Sequence, residues 1–190
     1  MILWTIQPLD VWKELNEKGY YVCDSKRAPC IIDGSFVDAY EWLVTVMNEK
    51  CKKPVGIEYP VWAWHTTDWK HVKPDLRKSC YGKKGEKCVC LEIDIPDEEV
   101  VLSDFEEWHR VLNDSYCDNS LSEEEWEEEI KCFDNLPKDE RERVKRESWM
   151  NIFKITPFKN EWTVRGRFIQ ATFWRLNLSD VKKVQFFTCR

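Results

Sequence analysis

A chain of 190 residues suits one domain, with room for an appended helical insert. A net charge of −6, with 34% charged residues, argues against a protein whose main task is gripping a nucleic acid backbone, although a local basic patch could still reach one. No run approaches the about 20 apolar residues of a membrane span, and the opening residues show neither a charged leader region nor a cleavage site. A cytoplasmic monomer without membrane attachment is therefore expected.

Residues 2–7 alternate as a strand, with Ile2, Trp4 and Ile6 on one face and Leu3, Thr5 and Gln7 on the other. Pro8 opens a helix at its first turn, Leu9, Trp12 and Leu15 recur at helical spacing, and Gly19 ends it. Residues 20–23 read as a second short strand, and a polar loop follows over 24–34. A second helix is expected from Ser35, with Asp38 as a weak capping box and Phe36, Tyr40, Leu43, Val44 and Met47 as its apolar stripe.

The next strand is expected within 56–65, with Pro60 placing it at an edge or at a strand start. Residues 66–87 form a polar connection whose length is uncommon in a compact domain and often functional. A strand over 88–95 points Val89, Leu91, Ile93 and Ile95 one way and Glu92 and Asp94 the other. Val100, Val101 and Leu102 lead to a helix capped by Asp104 with Glu107 and carrying Trp108, Val111 and Leu112.

Composition changes over 121–152, where Glu fills six of the seven positions from 123 to 129. Two solvent-washed helices are expected here as a charged insert over one side of the sheet. The chain closes on a strand over 167–177, on which Phe168, Gln170, Thr172 and Trp174 share a face, and on a second apolar run over 184–188. No glycine-rich phosphate loop follows any strand, and strands and helices do not alternate regularly. The order fits a single α+β domain, 1–190, with a mixed, mostly antiparallel sheet and flanking helices.

Polar side chains among large aromatics must find partners or meet a ligand. Gln170 and Thr172 are therefore either a cross-strand hydrogen-bonded pair or a site. Trp62 and Trp64 share a face and could stack on a base, or belong to the core. Arg77, after the stiff Lys73-Pro74-Asp75 segment, could fork onto a phosphate or pair with Asp75. The three histidines are His65, His71 and His109. There are nine cysteines and no Cys-x-x-Cys pair. Cys80, Cys88 and Cys90 with His71 have the ligand types of a zinc site, but reduced, mostly buried thiols are the preferred reading, and no metal is expected.

Two resemblances add to this. The chain as a whole resembles an uncharacterised bacterial domain-of-unknown-function family. The matching stretches are Leu3-Trp4-Thr5-Ile6-Gln7, residues 60–64 with 73–77, Leu102-Ser103-Asp104-Phe105 with Trp108-His109, and Ile169-Gln170-Ala171-Thr172-Phe173-Trp174. More remotely, the opening strand, the helix ending at Gly19, the strand over 88–95 and the closing Gln170-Ala171-Thr172 are similar to ADP-ribosyltransferases, in particular the DNA-modifying DarT type.

The second resemblance implies a sheet of ADP-ribosyltransferase type and NAD as substrate, used to modify a nucleic acid or protein target. It implies catalytic roles for Gln170 and Thr172, with Arg77 on the diphosphate and Glu92 as a replacement carboxylate. Contacts to NAD would come from Thr5, Gln7, Trp62, Trp64, His65 and Asp104. Thr5 stands where the family has His, and Thr172 where it has the glutamate that supports the positive charge as nicotinamide leaves. The alternative is a catalytically degenerate module of the same fold that binds a nucleotide or a partner.

Overall fold

The computed structural model describes residues 1–27, 34–78 and 81–190. Strand β1 (Ile2–Pro8) leads directly into helix α1 (Leu9–Lys18), which ends at Gly19, whose φ of 78° lets its N–H bond back to the Leu15 carbonyl. Strand β2 (Tyr20–Tyr21) is followed by helix α2 (Val37–Lys50), strand β3 (Val61–Thr66), strand β4 (Lys87–Asp94), strand β5 (Val101–Asp104) and helix α3 (Phe105–Leu112). Helices α4 (Glu123–Asp134) and α5 (Lys138–Ser148) come next, and the 3-10 turn Trp149–Phe153 brings the chain back to the sheet. Strands β6 (Ile169–Phe173), β7 (Leu176–Asn177) and β8 (Val181–Thr188) close it.

Six strands form one sheet in the order β5-β6-β3-β1-β4-β8, and every neighbouring pair is antiparallel. Strand β1 lies inside the sheet, paired with β3 on one edge and β4 on the other. The short strands β2 and β7 make a separate two-stranded ladder. The structure is thus the expected α+β class with a mostly antiparallel sheet.

One sheet face holds Leu3, Val89, Leu91, Ile93, Val61, Ala63, Ala171 and Phe173 and is closed by Val11 and Leu15 of α1. The alternation expected for residues 89–95 is what builds this layer. Helices cover the other face over its β3-β6-β5 end, where a second core of Leu43, Met47, Trp108, Val111, Trp149 and Ile152 packs against Val101 and Trp174. Toward β4, Trp4 and Cys90 are buried beside the β3–β4 connection, where His71 packs on Trp4.

Several expected boundaries shift. Helix α2 starts at Val37 rather than Ser35, with Phe36 at its cap and no side-chain cap bond. The expected second strand is only two residues long, and Cys23 makes an isolated bridge to Tyr59. The polar loop over 24–34 lies mostly outside the described residues. In the segment over 121–152, α4 buries no residue and α5 buries only Lys145, whereas Trp149 and Ile152 at its end are fully buried. The two charged helices are a solvated cover, and the turn after them is core.

Trp149 donates its indole N–H to the Ser115 carbonyl at 2.9 Å and stacks edge-on with Trp42 at 5.3 Å between ring centres. Replacing it removes the largest fully buried side chain and leaves the Ser115 carbonyl only the weak Cys117 thiol donor. Trp149→Ala is expected to lower stability by about 3–5 kcal/mol, read as a reduced urea midpoint. An unchanged midpoint would mean that the second core does not hold the helical layer to the sheet.

Candidate functional site

The uncovered part of the helix-side face holds a cavity of about 430 Å³. Its walls are Trp64 of β3, Phe105 at the start of α3 and Phe168 just before β6, with Ile6 of β1 and Gln170 of β6 also lining it. The Trp64 ring lies 5.1 Å from Phe105 and 6.5 Å from Phe168, centre to centre. Thr67, Lys78 and Tyr81 line it from the long β3–β4 connection. The Lys78 ammonium sits 5.6 Å from the centre of the Phe168 ring.

Two local features set this geometry. The first is a bulge in β3: Trp64 faces Gln170, yet the next paired residue is Thr66, opposite Ile169, so His65 is the extra residue. The second is Asp104. Its Oδ1 accepts the N–H groups of Glu106 and Glu107, and its Oδ2 accepts that of Gly166 at 2.7 Å. Gly166 has φ of 77°, and a Cβ there would lie 2.9 Å from the Ile155 carbonyl oxygen, so the position admits only glycine. The Phe105 N–H then bonds to the Phe168 carbonyl at 2.9 Å, which pins the two phenylalanine walls side by side.

Three polar atoms of the lining are buried and lack a hydrogen-bond partner: Trp62 Nε1, Thr67 Oγ1 and Gln170 Oε1. Ser103 Oγ, directly across the strand pair from Gln170, is in the same condition. Each such atom costs about 1–3 kcal/mol if left so. Three of these four atoms line the cavity, and the fourth lies beside it across the β5–β6 pair.

The structure separates the residues expected to act together. Gln170, Trp62 and Trp64 are brought to the cavity. Thr172 is buried and donates to the Val101 carbonyl at 3.2 Å, opposite Trp62 in the helix-covered half, and does not line it. Thr5 and Gln7 lie on the other strand face: Thr5 Oγ1 donates to the Trp62 carbonyl at 2.8 Å and accepts from Gln7 Nε2 at 2.7 Å. Arg77 is exposed and grips Asp75 through both fork nitrogens, at 2.8 and 2.7 Å, the local ion pair that was its alternative. That pairing holds the Asp75 carboxyl far below the usual carboxylate range.

Glu92, the carboxylate expected to replace the missing glutamate, does not reach Gln170. Gln170, Trp64, Trp4 and Glu92 form one straight row across β6, β3, β1 and β4. Three strand spacings put Glu92 about 14 Å from Gln170. Glu92 instead accepts from Lys183 at 2.8 Å and from the Trp4 indole at 3.2 Å, and the Lys183 bond holds its pKa down. It lines a separate cleft with Lys73 and Gln185. Asp104 is consumed by its three backbone donors.

His65, the extra residue of the bulge, does not line the cavity. Its ring stacks 4.3 Å from His71, whose Nδ1–H donates to the His65 carbonyl, and His71 in turn lies 5.1 Å from Trp4. Of the zinc candidates, Cys80 lies outside the described residues, and Cys88 contacts Cys189 instead. Among the described residues no three His, Cys, Asp or Glu side chains gather into a metal-holding group, and no helix is long and apolar enough to cross a membrane.

Sequence reasoning missed Thr67, Lys78 and Phe105. Lys78 directly follows Arg77, and no pattern distinguishes which of the two turns inward. Phe105 was hidden as the first residue after a helix cap, where apolar residues usually face the core.

An antiparallel α+β sheet with a half-covered face and an aromatic cavity on the uncovered part defines the class. The profile of the family described as Domain of unknown function (DUF3841) matches residues 2–182, so the chain belongs to that family. No curated protein and no solved structure matches it.

Two outcomes follow from this geometry. Burial, and then the neighbouring His71, lower the His65 pKa from its ordinary 6.5. The unfolded chain therefore binds that proton more tightly than the native one. His65's contribution is complete above pH 6.5 and is lost as pH falls below it. His65→Gln is expected to flatten the fall in urea midpoint between about pH 7.5 and 5.5; an identical slope in variant and wild type would contradict this. Asp104→Ala is expected to cost about 2 kcal/mol, through the lost helix cap and the orphaned Gly166 N–H, measured by thermal unfolding.

Proposed function

We propose that the protein is a nucleotide-binding module of ADP-ribosyltransferase type, holding the base or nicotinamide ring of its ligand against Trp64. The observation that carries this reading is the meeting, in one cavity, of an aromatic clamp with buried polar atoms that have no partner. A flat heteroaromatic ring bearing both a donor and an acceptor is the ligand chemistry that matches. The Gln170 amide turns about a broad terminal torsion, so its oxygen can swing to a ring amide or amino group. Lys78 supplies the positive charge for a phosphate.

Transfer chemistry needs more than this. Leaving nicotinamide creates positive charge at the ribose, which a carboxylate must support. The described lining contains no Asp or Glu. We therefore place the protein on the binding side of the two readings, with NAD as a ligand that is held and not consumed.

Calorimetric titration with NAD and with adenine nucleotides tests this, alongside an assay for nicotinamide release. Saturable binding without release is expected. Trp64→Ala should weaken binding about tenfold or more, since base–aromatic stacking is worth about 1–3 kcal/mol. Gln170→Ala should weaken it several-fold, and Arg77→Ala should leave it unchanged. Folded protein giving no heat with any nucleotide, or an Arg77→Ala loss equal to that of Trp64→Ala, would overturn the reading. Nicotinamide release dependent on Gln170 would move the protein to the transferase side.

A further inference from the structure

At the far end of the sheet from the cavity, two thiols meet. Cys88 is in β4, where it pairs opposite Phe187, and Cys189 follows the end of β8, so the two are diagonal neighbours across the strand pair. Cys189 is held there by two backbone bonds, its N–H to the Glu86 carbonyl and its carbonyl from the Gly85 N–H, both at 2.9 Å. The two sulfur atoms lie 3.4 Å apart, and both residues are buried, at 2% and 4% exposure. By contrast, Cys132 is exposed on the acidic helix α4.

A disulfide sulfur pair sits at about 2.0 Å, so bonding requires about 1.4 Å of closure between the two sulfurs. Cys189 adjoins a strand able to give way. β8 is the sheet edge, largely exposed along its length, and such edges open locally far more often than central strands. The same opening admits a small oxidant to thiols that are otherwise covered.

We propose that Cys88 and Cys189 are a modification site, forming a reversible disulfide with a hydroperoxide as oxidant. One thiolate attacks the terminal oxygen of the hydroperoxide and the O–O bond breaks. The leaving oxygen takes the proton released when the thiol ionised, giving a sulfenic acid and an alcohol, or water when the oxidant is hydrogen peroxide. The second thiol then attacks that sulfur, the S–O bond breaks, and the departing hydroxide takes the thiol proton as water. The two thiols lose two electrons in all, and the peroxide gains them. The bond joins the start of β4 to the end of β8 and, through Glu86 and Gly85, to the end of the long β3–β4 connection. Burial pushes the Cys88 thiol up to about 12, so the reaction is slow and accelerates with rising pH.

The test is to treat reduced protein with hydrogen peroxide, alkylate it under denaturing conditions and map the peptides by mass spectrometry. A peptide pair linked through Cys88 and Cys189 is expected, absent after reduction and absent from Cys189→Ala. It should persist in Cys132→Ser, and the oxidised wild type should unfold at a higher temperature than the reduced form. Circular dichroism establishes that Cys189→Ala is folded, and Cys189→Ser provides a second variant at the same position. Both thiols remaining alkylatable after peroxide treatment that oxidises Cys132, or Cys88 linking to another cysteine, would overturn the proposal.

Discussion

Three backbone N–H groups converge on the buried carboxylate of Asp104, two from the first turn of α3 and one from Gly166 in the turn leading to β6. A carboxylate at a helix N-terminus is favoured by the axial dipole and by the orphan donors there. Here the same charge also reaches across to a second segment that is 62 positions away in the chain. Helix α3 and the approach to β6 are therefore locked to each other before any aromatic contact is counted. Phe105 and Phe168 inherit their positions from that lock, and with Trp64 they form the cavity. A residue that the family resemblance implied would touch the ligand instead builds the walls that face it.

The uncovered sheet face gains its rim from a conformationally costly turn. Asp68 and Trp69 both have positive φ, at 50° and 68°, where the Thr67–Lys70 bridge reverses the chain. Neither is glycine, so the turn is unfavourable in isolation by about 1–2 kcal/mol per residue. It is held by Arg167, whose guanidinium pairs with Asp68 at 2.8 Å and whose carbonyl accepts the Trp69 N–H at 3.0 Å. Thr67 reaches the cavity because this turn and the preceding bulge fix its direction.

Period-two alternation was a reliable guide to this chain. Within each strand it set Leu3 apart from Trp4, grouped Val89, Leu91 and Ile93, put Trp62 with Trp64 and put Gln170 with Thr172, and the sheet keeps those assignments. Cap chemistry was legible at Gly19 and Asp104, where one residue type satisfies a specific backbone need. What alternation cannot carry is the order of strands. Thr5 and Gln170 come from strands that both border β3, yet they lie on opposite faces. Glu92 shares a face with Gln170 but is three strands away. Linear spacing also gave no means of choosing between Arg77 and Lys78, because a loop side chain is aimed by its tertiary contacts. The residues that matched a motif were scattered by topology, and those that line the cavity came from a bulge, a cap and a turn.

The central position of β1 also constrains the order of assembly. Strand β1 takes both of its partners from later in the chain, β3 and β4, and β3's other neighbour, β6, comes later still. Strand β1 must therefore wait, apolar and unpaired, while long stretches of chain are made, and each pairing closes a large loop. Such non-local sheets fold slowly and are exposed to wrong partners meanwhile. Helix α1 meets that hazard early: it follows β1 without a loop and lays Val11 and Leu15 over the buried face that holds Leu3. The nascent strand is thereby shielded on one side before either of its partners in the sheet has been made.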